Sequence, residues 1–475
     1  MGTIVPRLLN YLLLTPFFTR VFDKGEYGDV VLIYSYLAFL LVFLTYGMET
    51  TFFKFSESEQ DKDKVFSTAS WSVLLTTIIF ILGIFLFTQD IANFIDYSAN
   101  PNYIVWLGLI VSLDIFFSIS FAKLRQQDKA LRFTIIKLLN VIVNLSLIFL
   151  FLKVFKGAYE TDPNSSLAQY YKPEIGVGYV LIANLISSAV VGVLLLPELF
   201  SSKWKFDLEL WKSMMRYALP LLVVGLAAMI NEVADKIFLK ELLPKNVNPI
   251  EQVGIYGANY KLAVLMTLFI QMFKYAAEPF FFKQAKEKNA KESYASIMKY
   301  FVIFGISIFL GVTLFIDIIK NFIGSEFHEG LKIVPIVLMA NLFLGIYYNL
   351  SVWYKLTNKT QLGAVVSIAG AIVTISINFL FIPKYGYMAS AWATFAAYGI
   401  MMLFSWAWGQ KYYPIKYPIA RILFYFVIST VIFFVYQYLK FDSVLSQNII
   451  AVILLLSFVS IAFIIERKEF LLIKG

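Results

Sequence analysis

A glutamate and a lysine recur in fixed register at two places in this 475-residue chain. Tyr46-Gly47-Met48-Glu49-Thr50-Thr51-Phe52-Phe53-Lys54 and Tyr275-Ala276-Ala277-Glu278-Pro279-Phe280-Phe281-Phe282-Lys283 both read Tyr-x-x-Glu-x-x-Phe-Phe-Lys, 229 positions apart. Over 25–54 against 254–283, eight of thirty gapless positions are identical: Gly25, Tyr27, Gly28, Tyr46, Glu49, Phe52, Phe53 and Lys54. Apolar bias does not supply Glu, Lys, Gly and Tyr, so the chain reads as a duplicated half. Other polar groups interrupt apolar runs. These are Arg7 with Asn10, Asp114, Lys137 with Asn140 and Asn144, Asn231 with Glu232, Asp235 and Lys236, Lys261, Lys274, Asn341, Asn349 and Asn378.

What those residues can do depends on the medium around them. Apolar residues make up 60% of the chain and charged ones 15%, against about 45–50% and about 25% in soluble domains. The excess falls in many separate runs. A hydrocarbon layer about 30 Å thick takes roughly 20 apolar residues per helix, and backbone polar groups in lipid must be satisfied within each segment. The alternating pattern of a membrane barrel is absent. The chain is therefore expected to be an all-α polytopic membrane protein.

Fourteen spans are predicted. The first seven run 4–20, 28–53, 70–88, 103–121, 133–155, 175–197 and 213–236. The second seven run 254–282, 297–319, 333–353, 361–382, 386–408, 418–439 and 444–465. The first is weakened by Pro6, Arg7, Asn10 and Pro16, and without it there are thirteen. With the N-terminus inside, inside connections hold 24 of the 40 Lys and Arg and outside connections 12. That bias places both termini in the cytoplasm, and no cleavable leader is expected. Spans 2 and 8 then run the same way, which makes the repeat parallel, about an axis along the membrane normal. Lys123-Leu124-Arg125 before span 5 is echoed by Lys355-Leu356-Thr357 before span 11. The expected organisation is a six-helix bundle over 1–200, a second over 201–412, and two added helices over 413–475.

In a membrane, ionisable residues are costly and by default mark a pathway. Each has a plainer alternative. Lys54 and Lys283 read as snorkelling anchors at cytoplasmic ends. Lys274 and Glu278, at i and i+4, fit an intrahelical pair as well as a cavity role. Glu232 and Lys236 share a face with Asp235 beside them. The asparagines serve as interhelical glue as readily as ligand contacts, and most aromatic residues belong to lipid-facing and interfacial belts.

Several chemistries find no residues to carry them. Cysteine is absent and His328 is the sole histidine, so neither a metal nor any other cofactor is expected. There is no phosphate-binding loop, nucleophile elbow or His-Glu-x-x-His. No large loop gathers carboxylates, so no enzyme activity is expected. The charge of +9 follows the spans' topology and does not point to nucleic acid.

The opening, with Thr19-Arg20, Glu26-Tyr27-Gly28, Gly47 and Glu49, resembles the start of oligosaccharide flippases. These are the polysaccharide-biosynthesis branch of the MOP superfamily, alongside the MATE exporters. Tyr217-Ala218-Leu219-Pro220, Asp235-Lys236 and Val253-Gly254-Ile255-Tyr256 look like that family's seventh and eighth helices. Asn378, Ile382-Pro383-Lys384-Tyr385-Gly386-Tyr387 and Ala389-Ser390-Ala391 resemble its turn between spans 11 and 12, with Ala-Ser-Ala where the family pattern has Gly-Ala-Ala.

The resemblance implies two six-helix bundles facing a central cavity and working by alternating access. It also implies transfer of an isoprenoid-diphosphate-linked oligosaccharide from the inner to the outer leaflet of a bacterial cytoplasmic membrane. Arg7, Arg20, Lys261 and Lys274 are then the candidate cations for the diphosphate, with Asn144 and Asn378 as candidate cavity contacts. Glu49, Glu232, Asp235 and Glu278 are candidates for coupling or gating, since a carboxylate in a low dielectric is readily protonated and could take H+ or Na+. Membrane lipid and other polysaccharide-assembly proteins are the expected partners. A cation-coupled drug exporter on the same fold would need an acidic, aromatic cavity. A membrane enzyme of polysaccharide assembly would need carboxylates on a large ordered loop.

Overall fold

The computed structural model describes residues 4–439 and 443–473, apart from the side chains of residues 4, 7 and 468–473. The described residues are helical with short connections. Helix is the dictated solution for apolar runs of this length, because each one satisfies its own backbone hydrogen bonds. The chain divides into two compact units, Met1–Glu241 with Lys245–Gly254, and Leu242–Pro244 with Ile255–Gly475.

The first unit begins with α1 (Ile4–Val21), α2 (Lys24–Thr45), α3 (Met48–Ser58) and α4 (Lys62–Leu86). It continues with α5 (Thr88–Phe94), α6 (Asn102–Phe116), α7 (Ser118–Gln126), α8 (Ala130–Phe149) and α9 (Lys156–Thr161). It closes with α10 (Gly178–Leu199), α11 (Leu208–Leu242) and the first turns of α12 (Pro249–Leu262). Polar side chains start these helices where a span leaves the interface. Asp23 caps α2 in a reciprocal box with Glu26, and Asp61 accepts from Lys64 N at 3.0 Å at the start of α4. Asp207 accepts from Leu210 N at 2.8 Å at the start of α11.

Glycine brings backbone against backbone where α2 meets α12. A Cβ on Gly28 would lie 2.0 Å from the carbonyl oxygen of Ile250, and one on Gly254 would lie 2.1 Å from that of Lys24. These are two of the glycines that recur in the repeat, and close approach accounts for both.

The second unit holds the rest of α12, then α13 (Val264–Gln284), α14 (Ala290–Leu314), α15 (Ile316–Ile319), α16 (Val334–Leu350) and α17 (Val352–Leu356). It ends with α18 (Thr360–Tyr385), α19 (Tyr387–Tyr412), α20 (Ile419–Tyr438) and α21 (Val444–Ile473). α18 and α19 pack against each other and bury small residues, among them Gly370, Ala371 and Thr374 on one and Ala389, Ala393 and Ala397 on the other. That is how helices associate when lipid removes the hydrophobic difference between inside and outside. Gly386 turns the chain between them at φ 56° and ψ −142°, in backbone space that is essentially glycine's alone.

Twelve helices among the described residues are long and apolar enough to cross a membrane, and α12 with α13, bent by 53° at Ala263, would make a thirteenth. Fourteen is not reached. α1 is an 18-residue helix outside that set, with Arg7, Asn10, Arg20 and two prolines diluting its apolar run. Span 2, expected over 28–53, is one apolar span over Lys24–Ser58, in which Tyr46 and Gly47, both with positive φ, separate α2 from α3. Helix α11, grouped with the second bundle in the sequence reading, belongs to the first compact unit. Its Trp211 donates to Ser72 at 2.8 Å, and Gly47 lies against its Leu221.

Candidate functional site

The two repeated glutamates find the same kind of partner. Glu49, in the first turn of α3, is paired with Arg125 near the end of α7. Glu278 on α13 is paired with Lys355 on α17 at 2.5 Å. The segments that carry the cations are built alike. Gln127 N, Asp128 N and Lys129 N donate to the carbonyls of Lys123, Arg125 and Leu124. Thr357 N, Asn358 N and Lys359 N donate to those of Trp353, Lys355 and Tyr354. Asp128 and Asn358 are left-handed at φ 55° and 57°, an Asx-tolerant conformation that closes each helix. Arg125 and Lys355 thus hold equivalent places. Glu278 goes to Lys355, while Lys274 lies over the Tyr348 ring at 4.6 Å.

On α11 the polar residues divide between a buried pair and an exposed side chain. Asp235 is buried and pairs with Lys236 at 2.7 Å, also accepting from the Lys236 backbone N–H at 2.9 Å. Lys236 Nζ also reaches the carbonyl of Glu232 at 3.1 Å, while the Glu232 side chain is exposed. One turn on, Lys240 is buried and donates to Ile95 O and Glu241 at 2.9 Å, with Asp96 at 3.2 Å. The sequence reading left Lys240 in a connection.

The candidate cations and amides are divided between the two units. The Arg7 side chain lies outside the described residues. Arg20 is exposed and Nη1 donates to the carbonyl of Pro16 at 2.7 Å. Lys261 is exposed at the last turn of α12, two residues before the bend, and Lys274 is exposed on α13 beyond it. Asn144 is buried in α8 with no partner for Oδ1. Asn378 is fully buried. Its Nδ2 donates to Thr374 O at 2.8 Å and its Oδ1 accepts from Ser390 Oγ at 2.9 Å, which joins α18 to α19. Asp114 accepts from Ser188 Oγ at 2.9 Å, joining α6 to α10.

Two further clusters were not foreseen. In the second unit Glu466 is 1% exposed, and Lys299 (2.5 Å), Arg421 (3.2 Å) and the Tyr425 hydroxyl (2.7 Å) converge on it. This ties α14, α20 and α21 together. In the first unit buried Lys123 donates to Ser201 and Ser202, lies 3.6 Å from Asp63 and sits over Phe66. It lines a cavity of about 360 Å³ with Lys62, Gln126 and Asp128. Read alone, Lys123, Lys299 and Arg421 are ordinary interfacial anchors, and only the carboxylates opposite them would have marked them out. Outside the spans, Asp317 is held below the usual carboxylate range by the Lys320 hydrogen bond, with Gln447 adding to it.

Residues 1–285 match the family described as Polysaccharide biosynthesis protein. The chain belongs to that family. Its fold is shared with the lipid II flippase MurJ in an inward closed conformation, at TM-score 0.69 and 18% identity, over 97% of this chain and 99% of that one. It is also shared with the MATE multidrug transporter DinF-BH, at TM-score 0.61 and 17% identity, over 86% and 93%. An outward-facing multidrug resistance MATE family transporter of the MOP superfamily aligns at TM-score 0.59 and 13% identity, over 86% and 92%. No curated protein matches the chain. This family member is a multi-pass helical membrane protein, and its structural neighbours are a flippase and transporters.

Proposed function

We propose that this chain moves an isoprenoid-diphosphate-linked oligosaccharide from the inner to the outer leaflet of a bacterial cytoplasmic membrane by alternating access, with both termini cytoplasmic and no bond made or broken. Its membership of a polysaccharide biosynthesis family and its MurJ-like fold support a lipid-linked substrate. The observation that carries the reading is the bent α12–α13 span, with Lys261 beside the bend and Lys274 beyond it, both exposed. A broken helix at membrane depth is tolerated only where it is buried in protein or lines a cavity. Cations placed there suit a diphosphate, which a drug cation would not seek.

Glu232 and Asp235 are the carboxylates proposed to carry a coupling proton or sodium ion. The experiment is complementation of a flippase-null strain by Lys261→Ala and Lys274→Ala, alone and together. The double variant is expected to lose at least tenfold in polymer export at wild-type expression. Full activity would sink the assignment. An exporter of the MATE type would instead confer drug resistance that Lys261→Ala leaves intact.

A further inference from the structure

We infer that Arg125 and Lys355 are equivalent positioning residues of the transport cycle. Each holds the glutamate of the repeated stretch, Glu49 or Glu278, against the end of a neighbouring helix of its own unit, and each releases it when that unit's inner end opens. The inference rests on the alternating-access reading and adds two residues that the cavity assignment does not contain.

Two independent likenesses carry it. The glutamates occupy the same place in the repeat, 229 positions apart. The cations, 230 positions apart, follow the same helix-closing hydrogen bonds and precede a left-handed Asp128 or Asn358. The separations within the pairs, 76 and 77 residues, follow from those two offsets, and each pair clasps separate helices of one unit. A chance surface contact would not recur with both.

The strength of the pairs also fits a part that opens and closes. Arg125 and Glu49 are 40% and 44% exposed, Lys355 and Glu278 29% and 40%. Half-solvated pairs contribute little to folding stability and are cheap to break. The buried Lys299–Glu466 pair is the contrast, since opening it would strand a charge. Arg125 also lies over Phe53 at 4.9 Å, a residue of the same repeated stretch. α3 follows α2 through left-handed Tyr46 and Gly47, at φ 36° and 73°, and these two residues mark where the span would flex once the clasp is open.

The chain has no cysteine, so one introduced thiol is a unique reporter. Ser56 on α3 and Ser405 on α19 are buried, with no partner for either hydroxyl, and Ser→Cys keeps their size. Inside-out vesicles carrying full-length S56C or S405C would be exposed to a membrane-impermeant maleimide. R125Q is expected to speed labelling of the S56C thiol at least fivefold and leave S405C unchanged, and K355Q to do the reverse. The exchanged pair E49K/R125E should return S56C to its slow rate. The charge-keeping R125K should label at the slow rate and shows that the site folds. The inference is overturned if the neutral variants change labelling less than twofold, or if the exchanged pair labels as fast as R125Q. Labelling needs no substrate. Loss of complementation by the substrate-site variants therefore reports on the flippase reading, and the labelling pattern reports on the clasps.

Discussion

Glu466 makes the sharpest demand on stability of any single side chain described. Lys299, Arg421 and Tyr425 all point their polar atoms at one buried carboxylate. Removing one member of such a group leaves a charge without water or partner, at about 3–5 kcal/mol, whereas exchanging both for apolar groups is often neutral. Glu466→Ala should lower the detergent melting temperature sharply, with Lys299→Met/Glu466→Met in an Arg421→Gln background recovering most of it. Equal melting of Glu466→Ala and the parent would refute the cluster's role. Asp207 gives a pH signature. Its carboxyl is depressed by the Leu210 backbone N–H and then by Lys64. A group whose folded pKa is depressed stabilises above its unfolded value, about 3.9, and loses that contribution as pH falls through the folded one. The parent should therefore lose more stability than Asp207→Asn between pH 5 and pH 3, approximate limits set by that carboxylate range. Parallel melting curves for the two would discount the cap. At this scale the repeat made Glu49 and Glu278 visible in the sequence, and the Lys123/Lys355 echo lay beside their partners. The pairing itself was hidden, because nothing local to Glu278 separates Lys274, four residues away, from Lys355, which lies 77 away.

Among the elements, α2 and α12 approach closely backbone to backbone, and two glycines of the repeat allow it. Gly28→Ala and Gly254→Ala would set a methyl on a carbonyl about 2 Å away, an overpacking that costs at least about 1–3 kcal/mol because backbone cannot rotate aside. Gly83 on α4 meets nothing within 4 Å, so Gly83→Ala should be neutral or slightly stabilising through helix propensity. Expression and melting of the three variants, side by side, check the contrast. If all three behave alike, close approach is not what these glycines supply. Helix identity was legible from hydropathy, but helix breaks were not. The left-handed turn at Tyr46–Gly47 falls inside a stretch that is apolar enough overall to read as one span. Its matched stretch, 275–283, stays inside one continuous helix through Pro279. Two stretches that share five of nine residues thus differ in backbone path: Gly47, where the second stretch has Ala276, sits left-handed against Leu221 of α11, and only tertiary packing supplies that neighbour.

For the whole molecule, composition and period settled the class. Long apolar runs in a chain without cysteine leave a helical membrane bundle as the physical option, and the family match and MurJ-like fold agree with it. The count of spans was less secure, because α1 and the bent α12–α13 pair sit near the limit of what an apolar run can show. What the sequence determined by itself is whatever is additive along the chain: hydropathy, charge bias and the spacing of the repeat. What only the tertiary structure decided is which charges meet. Glu466 and Lys299 stand 167 residues apart and Glu49 and Arg125 76 apart. An ion pair at such separations is a property of the folded packing, since loop closure brings the partners together and no local rule selects one lysine over another.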